Sequence, residues 1–284
     1  MNRALRSFLF VPAANAKLLA SALGRPADAV ILDLEDGTHP NDRERARDRL
    51  PDAYAALRGA GKTVAVRINN DWLTAVTDLR AAVQPGLDLL VLPKVEHPRD
   101  VQVLAQMVTV LEAERGLAAG HVRFLVQIES AAALPQLHAI AAASPRAMGM
   151  MLGSEDFSLD CGCLPTPDAL LAPSLMVLHA ARAARIQPIG FVASIADLGS
   201  PEAFREVLER AGSLGFFGAV IVHPKFLDAI HEVYTPTAAK LDEARRIVSA
   251  FEEADAQGVG AIRVDGLMVD KPVYRRALNL LAQA

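Results

Sequence analysis

Cysteine is nearly missing from this chain: Cys161 and Cys163 are the only two among 284 residues. A single C-x-C pair cannot staple a chain of this length. Without a second pair it reads as loop chemistry rather than a zinc or redox motif. A reducing, cytoplasmic setting is therefore expected. Aromatic residues make up only 5%, too few for base-stacking platforms. Cations are not in excess either, since 29 Lys and Arg stand against 33 Asp and Glu for a formal charge of −4. That balance, with no basic tail, argues against nucleic acid and anionic membrane as partners. Long apolar runs are also absent. The first, at residues 8–11, is cut by Pro12, short of the roughly 7–15 residues of a signal-peptide core. Nothing approaches the ~18–20 residues of a membrane span.

What the chain does have is a hydrophobic content of 52%, enough for a large core. Eight short apolar runs recur at residues 7–11, 29–34, 63–68, 87–92, 122–128, 147–152, 186–192 and 218–222. Most are apolar throughout rather than alternating, as strands buried on both faces of a parallel sheet are. Between them lie segments of helical period, among them 14–23, 98–115, 131–143, 173–185 and 201–214. Asp71 and Ser200 stand as start signals before Trp72 and Pro201. This alternation predicts an α/β fold of the (β/α)8 TIM-barrel type over residues 1–236. A doubly wound open sheet is the alternative, but no G-x-G-x-x-G follows the first strand. Residues 237–284 read as a C-terminal helical extension: a helix over 237–257, a glycine turn at 258–260, a short extended run at 261–264 and a last helix from Pro272. With little apolar surface of its own, this extension is expected to pack on a barrel end or on a neighbouring subunit.

The polar residues gather where the strands end. The second run closes on Asp33, Glu35 and Asp36, the third on Arg67, the fourth on Lys94 and Glu96. The fifth closes on Glu129, the sixth on Glu155 and Asp156, and the last on His223. Barrel active sites lie at the C-terminal strand ends, so these residues converge on one rim. That rim leans acidic, with Arg67 and Lys94 as its cations. Oxygen donors without a His or Cys cluster favour a hard cation such as Mg²⁺, and Glu129 and Asp156 close adjacent strands. The plainer reading is that these charges are strand-end caps and ion pairs. Lys94 has the same two sides: a Schiff-base lysine, or the partner of Glu35 or Glu96.

Taken in order, Arg6–Pro12, Leu32–Gly37, Arg67-Ile68-Asn69, Leu92–Glu96, Ile128-Glu129-Ser130, Gly153–Phe157, His223-Pro224 and Gly266–Pro272 resemble the signature of the citrate lyase β-subunit-like family. This is the CoA-ester-lyase branch of the HpcH/HpaI aldolases, which includes malyl-CoA and citramalyl-CoA lyases. The resemblance implies Mg²⁺, with Mn²⁺ as a substitute, on Glu129 and Asp156. It implies Arg67 on the substrate's oxygens beside the metal, and main-chain amides around Glu155 and Asp156 on its carboxylate. It further implies Asp270 as an acid/base reaching a neighbouring protomer's site, and Lys17 near the CoA phosphates. Asp33, Glu35 and Asp36 match an acidic strand end that orients Arg67 and metal-bound water. The activity implied is cleavage of a short 3-hydroxy-carboxyacyl-CoA thioester (citramalyl-, malyl- or citryl-type) into an acyl-CoA and a 2-oxo acid. CoA enters only as part of the substrate. A homotrimer or hexamer is the implied assembly.

Two positions depart from the family pattern. Gly190 follows Ile189 where relatives often carry an acid, and Ala219 follows Gly218 where they often carry lysine. The segment 160–163 is also unlike the usual sequence after the Glu-Asp pair. The alternatives are a thioesterase or a class II 2-oxo-acid aldolase on the same site, a citrate lyase β subunit acting on an acyl-carrier-protein thioester, or a barrel that binds without turnover.

Overall fold

The computed structural model describes residues 5–282. Eight strands run through its first part: β1 Ser7–Pro12, β2 Ala29–Asp33, β3 Thr63–Arg67, β4 Leu89–Leu92, β5 Arg123–Ile128, β6 Ala147–Leu152, β7 Gln187–Pro188 and β8 Ala219–Ile221. All pair in parallel, in the order β7-β6-β5-β4-β3-β2-β1-β8. Chain order is therefore spatial order, and β8 returns to lie on β1, which curls the sheet into the TIM-barrel form. The seam between β7 and β8 carries no regular ladder. It is bridged by Phe217 N–H donating to the Pro188 carbonyl at 2.9 Å and Gly190 N–H donating to the Gly218 carbonyl at 3.0 Å. The run 186–192 thus yields a strand of two residues instead of seven. Pro188 has no N–H to give to a ladder, and Gly190 bends the chain away at φ +139°, a conformation open to glycine.

One face of each strand fills the interior. Phe8, Ile31, Ala65, Val91, Leu125, Met151, Ile189 and Val220 are buried there together. Side chains two positions further along a strand point the same way. Asp33 follows Ile31, Arg67 follows Ala65, Gln127 follows Leu125 and Gly153 follows Met151. The rim is a continuation of the core pattern, with polar residues taking over at the C-terminal ends.

The helices start where side chains can take orphaned N–H groups. Asn15 accepts from Leu18, Asp71 from Thr74 and Ser200 from Ala203. The helix expected from residue 173 begins earlier, at Pro167, capped by Thr166, and carries Pro173 inside it. Segment 131–143 divides into a 3₁₀ stretch Ala131–Gln136, which contains Pro135, and a short helix Leu137–Ala141. A helix not expected from the sequence, Ser154–Asp160, follows β6.

The chain forms two compact units, the first ending at His231 and the second beginning at Glu232. The second holds helices Ala238–Asp255 and Lys271–Leu281 joined by a hairpin, β9 Ile262–Val264 and β10 Leu267–Val269. Asp265 and Gly266 turn it with φ of 49° and 84°, the two positive values that a tight Asp-Gly hairpin turn needs. This unit has more apolar surface of its own than expected: Ala244, Ile247, Phe251, Val269 and Ala277 bury one another, and Phe251 stacks on Tyr274 with centroids 4.8 Å apart. Among the described residues no helix is long and apolar enough to cross a membrane.

Candidate active site

Arg67 ends β3 and lies beside Asp33, its register partner at the end of β2. Its Nε and Nη2 each donate to one Asp33 oxygen at 2.7 Å, a two-pronged match of guanidinium to carboxylate. Asp33 is held in turn by the main-chain N–H of Glu35 at 3.0 Å and of Gly37 at 2.8 Å. A Cβ on Gly37 would fall 2.3 Å from Asp33 Oδ2, so this loop must carry glycine to wrap the carboxylate. The third guanidinium nitrogen, Nη1, lies 2.9 Å from Glu35 Oε2, and the ring of Phe10 covers one face at 4.6 Å.

Glu35 bridges the two cations, since its other oxygen lies 2.9 Å from Lys94 Nζ. Lys94 also reaches Asp36 at 3.4 Å and Asp156 at 3.8 Å. Its choice between Glu35 and Glu96 therefore falls on Glu35. Lys94 has φ +51°, an uncommon left-handed conformation for a residue with a side chain. From that turn its main-chain N–H donates to Glu129 Oε2 at 2.8 Å. The other Glu129 oxygen accepts from Gln127 Nε2 at 2.8 Å. Gly153 makes room: a Cβ there would lie 2.5 Å from Glu129 Oε1 and 2.8 Å from Gln127 Nε2.

These groups open into a cavity of about 500 Å³ lined by Arg67, Asp33, Gln127, Glu129, Asp156 and an apolar wall. Burial, with the charges of Glu35 and Asp156 nearby, pushes the Glu129 carboxyl up to about 8, although the Lys94 N–H and Arg67 pull the other way. Burial likewise raises Glu35, against the pull of Arg67 and Lys94. Burial works against the cations too, yet Asp33 and Glu35 hold Arg67 above its ordinary range. Glu35, Asp36 and Asp156 do the same for Lys94.

A hard divalent cation fits this donor set. Asp156 adds to the cost of ionising Glu129, and a positive ion beside them would relieve it. Gln127 Oε1 is buried with no hydrogen-bond partner, an acceptor suited to a bound water or hydroxyl. Among the described residues no group of three or more His, Cys, Asp or Glu is arranged around one point. Glu129 and Asp156 would thus supply two ligands and leave the rest to water and substrate, the habit of Mg²⁺.

The other residues singled out from the sequence lie further from this centre. Glu155 lines the cavity, but its side chain is a strut: Oε1 accepts from Ser194 Oγ at 2.7 Å and Ser154 Oγ at 3.0 Å. It ties the loop after β7 to the turn after β6. Lys17 is exposed on helix Ala16–Leu23, whose Leu18, Ser21 and Ala22 line the cavity. His223 caps a turn, its Nδ1 accepting from Lys225 N–H at 3.1 Å. Asp270 belongs to the second unit. There it caps helix Lys271–Leu281 by accepting from Val273 N–H at 3.2 Å. Cys161 and Cys163 are both exposed and free.

Sequence reasoning missed Gln127, Gly153 and Phe10. For Gln127 a signal was available, because a residue two before Glu129 on a strand must share its face. The same rule puts Phe10, two after the interior Phe8, on the inner face of β1, but no spacing names Arg67 as what it covers.

Known proteins resemble this chain over nearly its whole length. A family model described as HpcH/HpaI aldolase/citrate lyase matches residues 6–224. The chain is 34% identical over 287 residues to the citrate lyase subunit beta of Escherichia coli, covering 99% of this chain and 94% of that protein. It is 33% identical over 302 residues to the L-malyl-CoA/beta-methylmalyl-CoA lyase of Cereibacter sphaeroides, covering 98% of this chain and 94% of that one. The solved structure of CitE from Mycobacterium tuberculosis in complex with magnesium, acetoacetate and coenzyme A is similar at a TM-score of 0.76 and 28% identity. That match covers 100% of this chain and 99% of the other.

Proposed function

The chain belongs to the HpcH/HpaI aldolase/citrate lyase family, and from that membership we propose a Mg²⁺-dependent carbon–carbon lyase. Its substrate is a short 3-hydroxy-carboxyacyl-CoA thioester, and its products are an acyl-CoA and a 2-oxo acid. The observation that carries this reading is the meeting of Glu129, Asp156 and the Asp33-anchored Arg67 in one cavity. A lyase is also what the similar proteins from Escherichia coli and Cereibacter sphaeroides are named.

Glu129 and Asp156 would hold the ion, which when bound would supply Lewis-acid polarisation to the oxygens of the substrate. Gln127 and the Lys94 N–H fix the Glu129 carboxylate, so that its lone pairs face the cavity in one orientation. Arg67 keeps N–H groups beyond those used by Asp33 and Glu35, and these meet the negative charge that develops on the substrate's oxygens. Because Asp33 grips two of its nitrogens, the guanidinium is placed before substrate arrives and needs no reorganisation. The main-chain amides around Glu155 and Asp156 receive the substrate carboxylate. A base takes the hydroxyl proton, the electron pair of the breaking carbon–carbon bond passes to the thioester half as an enolate, and Asp270 of a neighbouring subunit would return a proton to that carbon. Lys17, exposed on the helix whose Leu18, Ser21 and Ala22 line the cavity, would meet the phosphates of CoA. A homotrimer or hexamer in the cytoplasm is the assembly that goes with this reading.

The likeness to citrate lyase subunit beta favours a second reading, in which the thioester rides on an acyl carrier protein. The deciding experiment is turnover of citramalyl- and malyl-CoA with Mg²⁺ and with excess EDTA, following 2-oxo acid and free thiol separately. Oxo acid without free thiol, lost in EDTA, is expected. Free thiol without oxo acid would make the protein a thioesterase, and activity confined to carrier-bound thioesters would establish the second reading.

A further inference from the structure

Lys94 serves two sides of the site through different atoms. It follows β4 in a left-handed turn, φ +51°, a conformation that glycine takes more easily. The turn aims two successive N–H groups at the end of β5. Lys94 N–H donates to Glu129 Oε2 at 2.8 Å, and Val95 N–H donates to the Gln127 carbonyl at 3.2 Å. Neither bond needs the lysine side chain. What lysine adds is the ammonium, which reaches the other way, to the loops after β2 and β6. It lies 2.9 Å from Glu35 Oε1, 3.4 Å from Asp36 Oδ2 and 3.8 Å from Asp156 Oδ1.

The consequence falls on Glu35. Its side chain is only 4% exposed, so its charge must be met by protein rather than by water. Among the described residues two cations lie against it, Arg67 Nη1 and Lys94 Nζ, each at 2.9 Å. Arg67 already gives Nε and Nη2 to Asp33 at 2.7 Å. Its N–H groups are fixed in one plane, so a turn toward Glu35 withdraws them from the cavity. A buried carboxylate that loses one of two cations pulls harder on the one that remains. We propose, resting on the lyase reading above, that Lys94 is a positioning residue that couples the arginine to the metal ligand. Its ammonium takes up the charge of Glu35 and leaves Arg67 facing the substrate, while its main-chain N–H holds Glu129. Lys94 is not among the residues lining the cavity that Arg67 and Glu129 share; it acts through them and not on the substrate.

Because the two roles use different atoms, substitution separates them. Lys94→Gly keeps the N–H, eases the turn and removes the ammonium alone, whereas Lys94→Arg keeps a positive charge. Each full-length protein is titrated with Mg²⁺ by calorimetry and assayed on citramalyl- and malyl-CoA with Mg²⁺ and an EDTA control. Lys94→Gly should bind Mg²⁺ at least as tightly as the parent, since Glu129 keeps its N–H and a positive charge has left the side of Asp156. Its turnover should nevertheless fall about 10- to 100-fold, the range for loss of a supporting group. The loss should fall on kcat more than on KM, because Arg67 meets charge that develops in the transition state. Lys94→Arg should recover part of it. Parental kcat in Lys94→Gly overturns the inference and leaves the lyase reading standing. So does Mg²⁺ binding lost in Lys94→Gly as fully as in Glu129→Gln, or a Lys94→Arg protein no faster than Lys94→Gly. No Mg²⁺-dependent carbon–carbon cleavage by the parent overturns the lyase reading and this inference with it.

Discussion

Arg67 and Asp33 end neighbouring strands in direct register, and two parallel hydrogen bonds of 2.7 Å lock one onto the other. The pair is almost out of contact with water, with side-chain exposures of 10% and 4%. In Arg67→Lys the charge survives but the planar fork does not, so one ammonium must choose between Asp33, Glu35 and the substrate. Turnover should fall on the order of 100-fold or more, as when an oxyanion donor is removed, while the circular dichroism spectrum stays that of the parent. An unchanged kcat would remove Arg67 from the reaction.

Gly153 offers a way to disturb the metal ligand without touching it. The Cβ of Gly153→Ala would stand 2.5 Å from Glu129 Oε1, so Glu129 must turn away or the strand end must shift. Mg²⁺ affinity, measured by calorimetry, should fall about 10- to 100-fold, the range found when a group supporting a metal ligand is lost. Glu129→Gln and Asp156→Asn should remove binding more completely. A Gly153→Ala protein that binds Mg²⁺ like the parent would mean that Glu129 is not the ligand.

The sequence made the barrel legible because its strands are buried on both faces and end abruptly in charge: β2 is five buried residues closing on Asp33. Other features were not legible, each for a local reason. A seven-residue apolar run around Pro188 looks like a strand, but a missing N–H leaves only two residues in the ladder. Glycine, serine and two acids after β6 look like a loop until they are seen to start a helix. The partner of Lys94 depends on a left-handed turn at a residue that is not glycine, and no spacing rule reports that. Asp33, Arg67, Glu129 and Asp156 could be named in advance because position at a strand end is a property of the sequence. Their hydrogen-bond partners are a property of the curl of the sheet.

Away from the site, Glu112 and Arg146 form a buried pair at 2.6 Å, with side-chain exposures of 1% and 7%. Glu112 also accepts from the main chain at Gly120 and Val122. Burial opposes its charge, but Arg146 and those N–H groups win and hold the carboxyl below its ordinary value of 4.5. The unfolded chain then binds more protons than the folded one as acid is added. The stabilisation is complete above pH ~4.5 and drains away as pH falls through the lower folded value. Melting temperature should fall through this range in the parent and less steeply in Glu112→Gln, which should itself be destabilised by about 3–5 kcal/mol near neutral pH. Parallel melting curves with pH would show that Glu112 carries no such share.

Asp270 presents a problem of separating two roles, because its side chain caps helix Lys271–Leu281. Removing the cap in Asp270→Ala costs about 1 kcal/mol of helix stability, and a loss of activity would then be ambiguous. Asp270→Asn keeps an oxygen for the Val273 N–H and removes only the acid. If Asp270 serves a neighbouring subunit's site, Asp270→Asn and Glu129→Ala proteins should each be inactive alone. Mixed under conditions of subunit exchange, they should recover part of the parental rate, because some sites receive an intact Glu129 from one chain and an intact Asp270 from another. Exchange demonstrated by mass spectrometry without any recovery would confine Asp270 to its capping role.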